Sequence, residues 1–380
     1  MSSELRGMVV SAEQLNQLLD KLALEGGRAT LTGLDLTGTV FEDPVSFEQF
    51  RFSGTTTLDG TRFNGGLNLR GALFEDAVRW RGVTTSTLTL DKATFLGSAD
   101  IEVTAELITA HDTVFVGGLT LSLDGGDLVL DGAQLHKPSS LHAGPGARPG
   151  LGSVTGLDVS TLTIQGFDLS RCTLGAARNL DRIRLRDNVF GPPPGRWRTR
   201  RHIIAEEARW RTWQQGPSAV PSDVAGVYRS LRKALEDAKD EPGAADFYFG
   251  EMEMRRAEKL RAAREAGGGS RIRAAADYLL ISAYWLLSGY GLRAGRAVAA
   301  LAVVVAIGTI LLALHGFPDP APADLAQRSV RLAGQSVLSL FSPPAQPLTG
   351  TGEWVVLGLR FTGPLLLGLA VLAVRNKLKR

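Results

Sequence analysis

The chain repeats itself in rows of eleven residues, and that repeat constrains the fold more than any other feature. LDLTGTVFEDP starts at Leu34, VSFEQFRFSGT at Val45, TTLDGTRFNGG at Thr56, LNLRGALFEDA at Leu67 and VRWRGVTTSTL at Val78. The third position of each row reads Leu36, Phe47, Leu58, Leu69 and Trp80. The eighth reads Phe41, Phe52, Phe63 and Phe74, then fails at Thr85. The register slips by one and the pattern resumes with LTLDKATF from Leu88, which places Leu90 and Phe95. It continues with ITAHDTVF from Ile108, LVLDGAQL from Leu128, LTIQGFDL from Leu162 and IRLRDNVF from Ile183. Bulky residues therefore recur at alternating intervals of five and six.

A fixed internal period is the mark of a stacked, repetitive architecture. An eleven-residue period is close to three helical turns, but these rows are dense in Gly, Thr and β-branched or aromatic residues, which suit short strands and turns. A leucine-rich repeat needs a unit of roughly 20–29 residues with a different leucine spacing. The remaining reading is a β-solenoid. One bulky side chain per short face points inward, and the Gly, Asp or Asn between faces makes the corner. A four-sided coil then uses two rows, or 22 residues. The expected core is Leu36, Phe41, Phe47, Phe52, Leu58, Phe63, Leu69, Phe74, Trp80, Leu90 and Phe95.

Over residues 31–190 these rows resemble the pentapeptide-repeat family. The resemblance implies a right-handed quadrilateral β-helix. The family's stricter unit is five residues, with a small residue two before the central Leu or Phe, so the sixes here imply an irregular repeat with bulged coils. Some members of that family mimic DNA and inhibit topoisomerases. Such a mimic needs a regularly acidic surface. Residues 31–190 hold 19 acidic and 13 basic residues, with Arg51, Arg62, Arg70, Arg79 and Arg81 scattered through the coils. No nucleic-acid partner is expected. His111, His136 and His142 lack a metal-ligand spacing, and the single Cys172 excludes an internal disulfide and a multi-cysteine metal site.

A solenoid needs covered ends. Residues 1–30 supply an N-terminal capping helix in SAEQLNQLLDKLALEGG, where Ser11 and Gln14 fit a capping box. Leu15, Leu18, Leu19 and Leu22 share one face, and Gly26–Gly27 stop it. Residues 191–219 form a basic linker with Trp197, Trp210 and Trp213, readable as an interfacial membrane helix or as a cap on the solenoid. Residues 220–266 read as a helical hairpin adaptor broken at Asp240–Gly243. One helix groups Val227, Tyr228, Leu231 and Leu235, and the other groups Phe247, Tyr248, Met252 and Met254. This hairpin resembles one helix-turn-helix unit of the tetratricopeptide type. Its YRxL…A…FYxxEMxxRR wording resembles that of bacterial, actinobacterial-type pentapeptide-repeat membrane proteins. Glu251 and Glu253 stand at i, i+2 on a helix and face apart, so they do not form a metal pair.

The C-terminal third changes character. Residues 271–293 read as an interfacial lead-in helix, 295–317 as transmembrane helix 1 and 354–374 as transmembrane helix 2. Residues 318–353 form an external loop with an amphipathic helix over Asp324–Phe341, and 375–380 a basic tail. Arg271, Arg273, Arg293 and Arg296 precede the first span, and Arg375, Lys377, Lys379 and Arg380 follow the second. The positive-inside rule then expects both termini in the cytoplasm of a multi-pass protein of the bacterial inner membrane. The N-terminus lacks the basic start and apolar core of a secretory signal, which gives the same expectation. Two spans around a loop helix resemble the pore module of two-helix bacterial cation channels. Candidate pore-lining residues are Ser336, Ser339, Ser342 and Arg360. A T-x-G-[YF]-G-D filter is missing, however. Pro343–Pro344 occupy its place, and the nearest match is Gly350–Glu353.

No Ser/His/Asp, Cys/His or phosphate-loop arrangement appears in the sequence. The expectation is a non-enzymatic membrane protein without cofactor that displays the solenoid for protein binding or scaffolding. Its partners are the bilayer and an unidentified protein. The alternative is a pore that self-associates into a homo-oligomeric ring.

Overall fold

The computed structural model describes residues 6–19, 24–25, 28–191, 201–212, 220–318, 324–338 and 347–378. It divides into two compact units, residues 1–254 and 255–380.

The first unit is a β-solenoid of about seven coils. Short strands pair in parallel with their counterparts one coil on, in sheets of nine, seven and six strands. One column runs Leu36, Leu58, Trp80, Ile101, Leu121, Leu141 and Ile164, all buried. Another stacks Phe52, Phe74, Phe95 and Phe115 with ring centroids 4.6, 4.6 and 5.0 Å apart. Phe41 and Phe63 stack on a further face at 5.0 Å. All eleven residues named above as core are at most 3% exposed.

Coil length follows the spacing in the sequence, with two local shortenings. Val40 pairs with Arg62 and Arg62 with Thr84, a step of 22 residues. Thr94 pairs with Val114 and Val114 with Gln134, a step of 20. One residue is lost at a bulge. Trp80 pairs with Ile101 but Val83 with Val103, so Arg81 and Gly82 together oppose Glu102. Gly82 has φ +61 and opens onto free space there, a conformation glycine adopts without strain. The other is lost at a corner. Phe63 pairs with Thr85 and Leu67 with Leu88, so the later corner is one residue shorter. Thr85 therefore does not break the register. It occupies the inward position of Phe63, is buried, and donates its hydroxyl to Thr87 O at 2.9 Å.

A second inward position accompanies many of the bulky residues. Thr39, Thr61, Ala72, Ala93, Thr113 and Ala133 stand two residues before Phe41, Phe63, Phe74, Phe95, Phe115 and Leu135, and all six are at most 1% exposed. Two of the threonines satisfy their buried hydroxyls on the backbone, Thr61 Oγ1 donating to Leu36 O and Thr113 Oγ1 to Leu90 O, each at 2.8 Å. Expecting one inward side chain per face therefore undercounts the core.

The solenoid begins earlier than residue 31. Val9–Val10 pairs with Val40–Phe41, and Arg28–Thr32 pairs with Arg51–Ser53. Between them the capping helix is short, α1 at Ala12–Leu19. Its capping box is formed: Ser11 N–H donates to Gln14 Oε1 at 3.1 Å and Gln14 N–H to Ser11 Oγ at 3.4 Å. Leu15 is buried in the solenoid core. Leu22 and Gly26–Gly27 lie outside the described residues.

After the coils come α2 (Ala205–Thr212), α3 (Pro221–Asp237) and α4 (Glu241–Glu265). The hairpin turns at Ala238–Lys239 rather than at Asp240–Gly243, with Lys239 left-handed at φ 60. Asp240 starts α4 instead, because its Oδ1 accepts Gly243 N–H at 3.1 Å and Pro242 is tolerated in a first helical turn.

The second unit contains α5 (Gly268–Ser288), α6 (Ala294–His315), α7 (Leu325–Leu338) and α8 (Gly350–Leu378). Two stretches, Gly295–His315 and Gly350–Leu372, are long and apolar enough to cross a membrane, and most of each is exposed. Residues 350–353 are the first turn of α8 rather than loop. Thr349 caps it, since its hydroxyl accepts Gly352 N–H at 3.1 Å and its carbonyl accepts Glu353 N–H at 3.0 Å.

Candidate functional site

Two regions bring unusual groups together: the capped end of the solenoid and the helices of the second unit. At the capped end, the basic segment closes the last coils. Glu206 Oε1 accepts the backbone N–H groups of Leu174 and Gly175, both at 2.7 Å. Arg209 donates to Thr173 Oγ1 at 2.9 Å. Glu206 and Glu207 are buried, so α2 is a cap on the solenoid and not an interfacial membrane helix. Trp210 packs half-buried against the same core. Trp197 and Trp213 lie outside the described residues.

Behind this cap sits a buried charged triad. Arg201 Nη2 donates to Glu207 Oε1 and Oε2 at 2.5 and 2.7 Å, and its Nη1 donates to Tyr228 Oη at 3.0 Å. Tyr228 donates its hydroxyl to Glu207 Oε2, and accepts Ile204 N–H at 3.2 Å. Arg211 Nε adds a second cationic partner to Glu207 at 2.7 Å. Burial works against the Arg201 charge, but the facing Tyr228 oxygen and Glu207 carboxylate outweigh it and raise its pKa. Burial, reinforced by Glu207, pushes the Tyr228 hydroxyl up as well. Arg201 therefore stays cationic and Tyr228 a neutral phenol across physiological pH. Their bonds to Glu207 tie Arg201, α2 and α3 to one another.

Next to the triad, a cleft of ≈ 240 Å³ is lined by Leu185, Phe190, Leu235 and Phe247, with Asn188, His202 and the carboxylates of Asp187, Asp240 and Asp246. It contains no cysteine, serine or threonine. Glu251 is buried on α4, where Arg229 and Arg232 approach it at 3.1 and 3.6 Å. Phe249 and Glu251 are thus buried where Tyr248 and Met252 were expected, and those two are half-buried. Cys172 is fully buried, and that burial raises its thiol pKa, which makes it a packing residue. Among the described residues no group of three or more His, Cys, Asp or Glu is placed to hold a metal ion.

In the second unit, α7 packs on α6 and α8 through Leu312, Ala333, Val337, Val356 and Leu359. Close approach is set by glycine. A Cβ on Gly363 would lie 2.7 Å from the Val337 Cα, and one on Gly308 2.7 Å from a Leu359 methyl. Ser336 is buried and donates its hydroxyl to Leu332 O of its own helix at 2.7 Å. Ser339 and Ser342 lie outside the described residues. Arg360 is half-buried on α8, one turn before Pro364, which lacks the N–H that its carbonyl would accept.

Parallel coils, stacked aromatic columns and the small buried residue two before many of the bulky ones define the first unit as a β-solenoid built from pentapeptide repeats. Consistent with that geometry, residues 36–84 match a protein-family model described as pentapeptide repeats (9 copies). No curated protein and no solved structure matches the chain.

The triad is what sequence reasoning missed. Buried carboxylates such as Glu206 and Glu207 carry no local signal until their long-range partners are known.

Proposed function

We propose that the protein is a non-enzymatic membrane protein of the bacterial inner membrane that holds a cytoplasmic β-solenoid on a two-span anchor and uses the solenoid to bind or scaffold another protein. The observation that carries this reading is the pairing of a rigid solenoid with Gly295–His315 and Gly350–Leu372, two long apolar stretches whose side chains are mostly exposed. Exposed residues such as Val303, Ile307, Ile310, Phe361 and Val371 fit lipid tails and are costly in water. Arginines before the first span and basic residues after the second set the orientation. The solenoid supports binding because its outer faces are broad and rigid, with salt bridges such as Arg51–Glu75 and Arg81–Asp100 laid across successive coils.

The test is topological. The full chain should stay in the membrane pellet after an alkaline wash, and reporters fused to either end should be active only in the cytoplasm. A periplasmic signal from the N-terminal fusion would refute the orientation. The pore alternative expects unitary currents, whereas bilayer recordings on the purified full chain should be silent.

A further inference from the structure

We propose that the exposed face of α5 docks into one leaflet of an anionic lipid bilayer, a third membrane contact lying in the plane of the leaflet beside the two spans. This rests on the reading that the second unit sits in a membrane. Helix α5 has two unlike sides. At 3.6 residues per turn, Ile272, Ala276, Leu279, Leu280, Ala283 and Leu286 fall within an arc of about 120°. All six are exposed, and Ile272, Leu279, Leu280 and Leu286 by 74, 65, 70 and 65%. From Ala276 to the end of the helix, Asp277 is the single exposed residue outside this stripe. The opposite side is covered by the end of α4, in the same unit. Lys259 holds Asp277 at 2.7 Å, and the Arg256 guanidinium lies 4.6 Å from the ring centroid of Trp285.

Continuity with a span names the occupant. Helix α5 passes into α6 through residues 289–293, and α6 carries Gly295–His315, one of the two stretches able to cross a membrane. The turn between them is held in shape. Gly289, Tyr290 and Gly291 are consecutively left-handed, with φ of 55, 59 and 74. Ser288 Oγ accepts Gly291 N–H at 3.0 Å, and Ser288 O accepts Arg293 N–H at 3.1 Å. The stripe therefore ends where the span enters lipid. Helix α5 is itself not among the stretches apolar enough to cross. A helix with one bare aliphatic side and one polar side lies along a leaflet rather than through it.

The edges of the stripe match a headgroup layer. Arg271 and Arg273 are exposed, and they stand about 100° to either side of Ile272. Tyr278 and Tyr284, both half-buried, flank the stripe further along. Guanidiniums so placed run their stems along apolar surface and reach anionic phosphates with their heads, while Tyr belongs at headgroup depth. The stripe itself is aliphatic throughout. Protein partners are anchored mostly on Trp, Tyr or Arg at the centre of a contact, and here Trp285 is turned to α4 instead. Acyl chains ask for no such anchor. The partner chemistry is a bilayer surface of acyl chains under phosphate headgroups of net negative charge.

The experiment places nitroxide labels on the full chain in nanodiscs, at Leu279→Cys and Leu286→Cys on α5 and at Ile307→Cys on α6. The native Cys172 is fully buried and stays unlabelled in the folded protein. Collisions with oxygen report lipid, and collisions with a water-soluble nickel chelate report solvent. In discs of phosphatidylcholine with phosphatidylglycerol, oxygen should dominate at all three positions. Both α5 labels should lie about 5–10 Å into the headgroup boundary. Nickel dominance on α5 with oxygen dominance at Ile307→Cys would leave the stripe in water and overturn this face alone. Nickel dominance at all three would overturn the membrane placement itself, and this face with it. Exclusion of both reagents from the α5 labels would mean that protein covers the stripe, a second copy included, and would overturn the lipid reading. Removing phosphatidylglycerol should make the α5 labels shallower, and Arg271→Gln with Arg273→Gln should abolish that difference. A depth independent of phosphatidylglycerol, or a difference that survives the double substitution, would overturn the charge match.

Discussion

Glu207 is the residue on which the capped end depends. Its side chain is fully buried and takes hydrogen bonds from Arg201, Tyr228 and Arg211. Glu207→Gln leaves the Arg201 cation buried without its counter-charge and should cost about 3–5 kcal/mol in chemical denaturation. Replacing both partners, with Arg201→Met and Glu207→Leu, should recover most of that loss, and the double-mutant cycle measures the coupling. A second residue-scale expectation concerns acid. The Thr37 hydroxyl and backbone N–H hold the Asp35 carboxyl below its ordinary 3.8. Burial opposes the Asp158 charge, but donors from Ser160 and Asn179 outweigh it and lower that carboxyl too. Folded values below unfolded ones mean that this stability is complete above the ordinary value and is lost as pH falls through the lowered ones. Thermal stability should therefore decline below pH ~4, and Asp35→Asn should flatten the decline. An unchanged acid limb in that variant would remove Asp35 from the account.

At the scale of elements, the second unit depends on close helix contact. Gly363 leaves room for the Val337 backbone, whereas Gly368, on the same helix, has nothing within 4 Å of a built Cβ. Gly363→Val should loosen α7 from α8 and lower the thermal stability of the detergent-solubilised protein. Gly368→Val should change it little. Equal effects would mean that the contact does not hold the helices. The solenoid elements show what a sequence can and cannot display. The period was legible because each inward Phe or Leu is large and recurs locally. The two one-residue losses, at Arg81–Gly82 and between Thr85 and Leu88, were visible only as one slip, because assigning them requires knowing which strands pair across 20 or more positions. Small inward residues such as Ala72 and Thr61 were overlooked for a different reason. Ala and Thr are as common on surfaces as in cores, so burial leaves no mark on their identity. The burial of Glu206 is equally unmarked in the sequence, because it depends on Leu174 and Gly175 presenting their N–H groups from more than 30 residues away.

For the whole molecule, stability is partitioned. Each coil of a solenoid rests mainly on its neighbours, so damage to one column spreads through the stack. Phe74 is stacked on Phe52 and Phe95 and meets Trp80 edge-on at 5.6 Å. Phe74→Asp buries a carboxylate in that column and should unfold the first unit, seen as loss of the β signal in circular dichroism. The same variant should still resist alkaline extraction, because the apolar stretches lie in the second unit. Loss of both properties together would show that the two units do not fold independently.

The coils also set a length. Strands in a sheet lie ~4.8 Å apart, so each coil adds about that much along the axis, and about seven coils reach roughly 34 Å. Because each column presents the same inward pattern from coil to coil, inserting or deleting one 20-residue coil between Thr94 and Gln134 would change the reach by a fixed step while leaving both caps intact. The solenoid is thus a ruler graduated in coils, and the distance at which its end is presented can be tuned without altering either terminus.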